Sequence, residues 1–193
     1  KFSDLEPLKN LISNLENKEF NIEGYPSDFF INKIIKVKPD QVTLVPDPPG
    51  ALTSSFGWDC EENKNFLRDT VSEFQQNKIR VSIFINPSIK TLENLEIIKT
   101  DRVELYTYDF AHLFNENNNK SIKSYIDVSN FLRKEFPKIE FNAGHDLNLD
   151  NLRFFLDNIQ DIKEVSIGHA LICDTFEFGL EETIKKYLSL TKN

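Results

Sequence analysis

Short β-branched or alternating apolar runs recur along the chain at 20–23, 41–45, 80–85, 102–106, 139–142 and 164–167, and each reads as a strand. Between them the apolar positions change to helical spacing. Phe29, Ile31, Ile34 and Ile35 follow the first run, and Phe66, Val71 and Phe74 follow the second. Leu5, Leu8, Leu11, Ile12 and Leu15 predict one helix ahead of the first strand. A last helix carries Phe176, Phe178, Leu180, Ile184, Tyr187 and Leu188 in a broad apolar stripe. Strand and helix therefore alternate, and connections of that kind return along right-handed crossovers, which makes the strands parallel.

Two architectures satisfy this alternation, a doubly wound open sheet and a closed barrel of eight units. Neither G-x-G-x-x-G nor G-x-x-x-x-G-K-[ST] occurs, so the nucleotide-binding signature of the open sheets is missing. At roughly 30 residues per unit, eight units need about 250 residues, the usual barrel size. The expectation is an α/β chain, a (β/α)8 TIM barrel with about six of its eight units present. The first two are expected to be missing, because the chain opens on a helix with no strand before it. Residues 1–193 are read as one barrel domain, incomplete at its N-terminus. The absence of any Met, a start residue included, agrees with a chain that is not the whole gene product.

Composition narrows the function. Hydrophobic residues make up 39% and charged residues 28%, which suits a globular domain and not a disordered one. Thirty-one acidic against 23 basic residues give a net charge of −8, which repels nucleic acid and anionic membranes as general partners. Cys60 and Cys173 stand far apart with no CxxC and no nearby His pair, so neither a disulfide framework nor a metal site is expected, and a cytoplasmic location is the simpler reading. No apolar window is long enough to span a bilayer.

In a parallel barrel the chemistry belongs at the C-terminal strand ends. Polar residues fall there in Asn21-Ile22-Glu23-Gly24, Val45-Pro46-Asp47, Ile85-Asn86-Pro87, Asn142-Ala143-Gly144-His145 and Ser166-Ile167-Gly168-His169, and the fourth strand carries Glu104. A single Gly-His can be a tight turn with a hydrogen-bonded imidazole; two on successive strands favour function. Glu23 alone can be a solvent-facing strand end, and Glu104 half of a salt bridge. His112 reads as a solvent-facing loop residue and 115–120 as a mobile loop. The Pro-rich loop 45–59 encloses Thr53, Ser54 and Ser55, whose hydroxyls suit a phosphate or a sugar hydroxyl. A carboxylate, a histidine and anion-binding turns fit proton transfer on a small phosphorylated molecule. A Schiff-base aldolase would want a Lys at a strand end, and none is there.

The stretches FNIEG (20–24), VTLVPDPPGALTSSFGWD (42–59), RVSIFINP (80–87), RVELYT (102–107), NAGHDLN (142–148) and EVSIGHALI (164–172) resemble the pyridoxine 5′-phosphate synthase family of vitamin B6 biosynthesis, in order and over nearly the whole chain. The resemblance implies a TIM barrel that condenses 3-amino-2-oxopropyl phosphate with 1-deoxy-D-xylulose 5-phosphate, through an imine, with release of inorganic phosphate and water. No metal or organic cofactor is implied, and a homo-oligomer, commonly an octamer, is. Glu23 matches the family's base, His145 its proton donor and Glu104 the carboxylate that stabilises a cationic transition state. Thr53 matches a ligand of the pentulose phosphate, and Gly168 and His169 match the Gly-His that binds a substrate phosphate. Asp146, counted with Thr53, Gly168 and His169 among the substrate- and phosphate-binding positions that the resemblance implies, stands where the family often has a binding Gly, and Tyr106-Thr107-Tyr108 replaces a commoner His-Thr-Gly. The family's N-terminal Asn, Asp-His and Arg, and its His-x-Arg-x-Asp-Arg-Arg-His stretch, have no counterpart here. The alternative is a non-catalytic relative that binds a phosphorylated metabolite; joint retention of Glu23, Glu104, His145 and His169 argues against it.

Overall fold

A computed structural model describes residues 1–48, 50–51 and 53–192. Pro49 and Leu52 of the 45–59 loop lie outside the described residues. The backbone divides into two compact units, Lys1–Asn86 with Lys90–Glu104, and Pro87–Ile89 with Leu105–Asn193.

The first unit opens on α1 (Leu5–Ile12) and continues through β1 (Asn21–Gly24), α2 (Asp28–Val37), β2 (Gln41–Leu44), α3 (Lys64–Gln76), β3 (Arg80–Ile85), the short α4 (Leu95–Ile98) and the start of β4 (Arg102–Tyr106). β1 pairs with β2 and β2 with β3, both parallel as predicted. The register sets the chemistry of the two faces. Ile22, Val42 and Val81 form one apolar rung, and they join Ile34, Leu67, Val71 and Phe74 in the buried core. The rungs on either side, Asn21-Gln41-Arg80 and Glu23-Thr43-Ser82, are polar throughout. Successive strand residues point to opposite faces, so the unit has one oily face under its helices and one polar face.

Helix ends follow local rules. Ser27 caps α2 by accepting the Phe30 N–H at 3.3 Å, and Lys38 stops it in the left-handed region. An Asp precedes β2 and another precedes β4, and each staples the strand before it: Asp40 accepts from Phe20 N at 2.8 Å, and Asp101 from Val81 N at 2.8 Å. At the entry ends of the strands the Gln41 side-chain oxygen accepts from Arg80 at 2.7 Å and from Arg102 at 3.1 Å. Arg80 also pairs with Glu19, and that hydrogen bond holds the Glu19 carboxyl below its ordinary range.

The second unit takes the end of β4 into α5 (Tyr108–Phe114), α6 (Asn118–Glu135), β5 (Glu140–Gly144), α7 (Leu152–Asn158), β6 (Ile162–Ser166), α8 (His169–Phe178) and α9 (Leu180–Leu190). β5 and β6 are parallel, with a register shift at Phe141/Asn142, and the strand order is β1-β2-β3-β4-β5-β6. Three expectations change here. The segment 115–120 holds the N-terminus of α6, because the Asn117 side chain accepts from Lys120 N at 2.9 Å. The expected last helix is two helices, broken at Gly179, whose φ of +80° suits only a residue without Cβ. Of the apolar stripe, Tyr187 is buried, whereas Phe176, Phe178, Leu180, Ile184 and Leu188 are exposed.

The core of the second unit is aromatic. Phe110, Tyr125 and Phe155 are fully buried and meet edge to face at 5.0–6.0 Å. The Tyr125 hydroxyl ties the unit together: it donates to Tyr106 O at 2.8 Å and accepts from Phe110 N at 3.3 Å. Tyr125→Phe keeps the ring and removes both hydrogen bonds, and is expected to cost about 1–3 kcal/mol, read as a lower urea midpoint. A midpoint equal to wild type would show that water replaces the hydroxyl.

Candidate active site

Glu23 stands near the C-terminal end of β1, beside Gly24. A Cβ on Gly24 would lie 2.3 Å from the Phe30 ring, so only glycine lets α2 seat this closely behind the strand. The loop after β2 covers the next stretch. Asp47 turns inward, 8% exposed, and its Oδ1 accepts from Ser55 N at 3.1 Å and Ser55 Oγ at 3.3 Å. The loop then locks onto β3. Gly57 N donates to the Asn86 side chain at 2.9 Å, Trp58 N to Phe84 O at 2.8 Å, and the Trp58 indole N–H to Leu44 O at 2.9 Å. A Cβ at Gly57 would strike the Ile85–Asn86 backbone at 2.3 Å. Asn86, a polar strand-end residue, is thus a structural lock.

The result is a cleft of about 580 Å³ whose lining includes Glu23, Tyr25, Asp47, Thr53 and Ser54. The structure therefore brings Glu23 and Thr53 together, and it adds Asp47. Glu23 is solvent-exposed, yet protein packed beside its carboxylate removes part of its hydration. That desolvation, and secondarily the like charge of Asp47, raises its carboxyl above the ordinary value. A carboxylate with raised proton affinity is a better base. Glu104 does not line this cleft; it is buried, at 2% exposure, within β4.

His145 follows β5 in the second unit, at φ +95°, and Asp146 follows at φ +57°, backbone shapes that side chains rarely adopt. Thr107 holds the turn. Its N–H and hydroxyl both donate to Gly144 O, at 2.9 and 2.8 Å, and the hydroxyl also reaches His145 O. The Asp146 carboxylate lies 3.4 Å from His145 Nδ1 and 3.6 Å from His112 Nε2. Tyr106 meets the His145 ring edge on at 4.8 Å, and Tyr108 lies over His112 at 3.9 Å. His112 is exposed as expected, but it belongs to α5 and joins this cluster. Both tyrosines thus touch the histidines.

Gly168 and His169 open α8, both exposed, with open space around the Gly168 Cα. The first-turn N–H groups of such a helix suit an anion. Cys60 offers no nucleophile, because burial, and then Asp59, pushes its thiol up to about 12. Among the described residues no cluster of three metal-ligating side chains forms, and no helix is long and apolar enough to cross a membrane.

Residues 1–193 match the family profile described as pyridoxal phosphate biosynthesis protein PdxJ. The chain belongs to this family. Similar proteins include the pyridoxine 5′-phosphate synthases of Flavobacterium johnsoniae, 44% identical over all of this chain and 78% of the relative, and of Parabacteroides distasonis, 46% identical over 97% and 76%. Among solved structures, a mutant tryptophan synthase α-subunit from Pyrococcus furiosus matches with a TM-score of 0.58 at 15% identity, over 98% of this chain and 71% of that one. Triosephosphate isomerase from Bartonella henselae matches at 0.54 and 13%, over 91% and 83%. Likeness at that identity concerns the fold alone, an α/β fold with TIM-barrel relatives.

The raised carboxyl of Glu23 fixes a sign. Between its unfolded and folded values the folded chain binds more protons, so Glu23 withdraws stability as pH rises through that interval. Glu23→Gln removes the effect, and the variant should gain on wild type at about pH 7 relative to about pH 4. Urea midpoints at both pH values check this; an identical difference at the two would show an ordinary solvated carboxylate.

Proposed function

We propose that this chain works as a pyridoxine 5′-phosphate synthase, condensing 3-amino-2-oxopropyl phosphate with 1-deoxy-D-xylulose 5-phosphate and releasing phosphate and water. The observation that carries the reading is the family match along the full chain. Glu23 is the base that removes protons as the imine and enol intermediates form, a part its raised proton affinity supports. Thr53, in the same cleft, holds the pentulose phosphate. His145 gives a proton to the departing hydroxyl or phosphate oxygen. Glu104 supplies a fixed negative charge to a cationic transition state, which its burial strengthens. Gly168 and His169 bind a substrate phosphate at the start of α8.

The same reading makes the strands six of the eight in a single (β/α)8 barrel, which the parallel order and the solved neighbours support. It also makes the protein a cytoplasmic homo-oligomer; the exposed apolar side chains of α8 and α9 support association.

The test is product formation by the purified protein from the two phosphorylated substrates. Glu23→Gln and His145→Ala are each expected to lower kcat by about 10²–10⁴-fold. Thr53→Ala should instead raise KM for the pentulose phosphate. Binding of either substrate without any product would sink the synthase reading in favour of a non-catalytic relative.

A further inference from the structure

Asp47 and Ser55 close the loop after β2 on itself. Asp47 Oδ1 accepts both the Ser55 backbone N–H at 3.1 Å and the Ser55 hydroxyl at 3.3 Å. Thr53 and Ser54 sit on the segment between the two residues, and both line the cleft that holds Glu23. Beyond Ser55 the chain is fixed to β3, through Gly57 N on the Asn86 side chain and Trp58 N on Phe84 O, so the turn is held on both sides. Asp47 is 8% exposed, and its second oxygen, Oδ2, is buried with no hydrogen bond. Among the described residues every hydrogen bond of this carboxylate therefore goes to Ser55. Burying a carboxylate costs free energy that its hydrogen bonds must offset, and here Ser55 supplies them.

We infer that Asp47 is a positioning residue for Thr53: by holding Ser55, it keeps the neighbouring hydroxyls on the cleft wall, where a substrate phosphate can take them. The inference rests on the reading of Thr53 as a ligand of the pentulose phosphate. A hydroxyl serves a phosphate oxygen best when its backbone is fixed before the substrate arrives, because ordering the turn at that moment would weaken binding. Direct contact between Asp47 and the phosphate is disfavoured, since both are anionic and the carboxylate oxygens either serve Ser55 or are buried.

The test pairs kinetics with amide hydrogen exchange. Asp47→Ala should raise KM for 1-deoxy-D-xylulose 5-phosphate about 10-fold and leave KM for 3-amino-2-oxopropyl phosphate within about twofold, because the two hydrogen bonds it removes lie in the turn. Asp47→Asn, whose amide oxygen still accepts from Ser55, should bring KM for the pentulose phosphate back to within about twofold of wild type. In a Thr53→Ala background, Asp47→Ala should raise that KM no further, since the two residues then act as one. Exchange of the Ser55 amide proton, followed by NMR, should be slow in wild type and Asp47→Asn and fast in Asp47→Ala. A KM in Asp47→Asn as high as in Asp47→Ala would make the charge itself a substrate contact, and additive effects in the double variant would give Asp47 a task apart from Thr53. Either result overturns the proposal, and so does Ser55 exchange that Asp47→Ala leaves unchanged. Absence of product from wild type would defeat the synthase reading instead, and Ser55 exchange would still decide whether Asp47 anchors the turn.

Discussion

Strands of a parallel sheet are usually apolar on both faces, because helices cover both. Here one face is polar rung after rung, and the rest of the structure follows from satisfying it. Gln41, Thr43, Ser82, Arg102 and Glu104 are all buried. Each buried polar group left without a partner costs about 1–3 kcal/mol; the Ser82 hydroxyl is such a group, whereas Gln41, Thr43 and Arg102 are hydrogen-bonded. One amide oxygen, that of Gln41, accepts from two guanidinium groups, and Thr43 donates to Asn21 across the β1–β2 pair. In the second unit Asn142 donates to Glu164 at 2.7 Å along the same kind of rung. Apolar packing on the other face carries the stability, and the polar face is thereby free for chemistry.

Much of this was legible in the sequence. Period-two alternation marked every strand to within a few residues, and a Gly before a His marked both later strand ends. β6 was the least clear, because Ile162 and Lys163 look like part of a charged loop, and the turn at Asp161 that starts the strand early needs a left-handed residue. The length of α6 was hidden by its asparagines, which resemble a loop and serve as a cap.

The candidate residues stood out in the sequence by local position, at strand ends or in one turn. Glu23, Glu104 and His145 follow from strand position, and Thr53 from its hydroxyl-rich turn. Asp47 was seen as a strand-end residue, yet its place beside Glu23 depends on a loop folded back through Gly57 and Trp58, which no local periodicity encodes. His112 looked like a bystander because its partner is 34 residues away in sequence and meets it only through the turn at 145–146. Fold alone would not have separated this chemistry from that of an isomerase sharing the architecture, since the scaffold is common and the strand-end side chains are not.

The backbone at His145 carries a last implication. A φ of +95° is glycine territory, and a residue with a Cβ is held there against its own preference by the Thr107 clamp. Glycine at this position would relax the chain and abolish the imidazole. The protein thus keeps a side chain at a position where the backbone alone would favour glycine, and the Thr107 hydrogen bonds hold that shape in place.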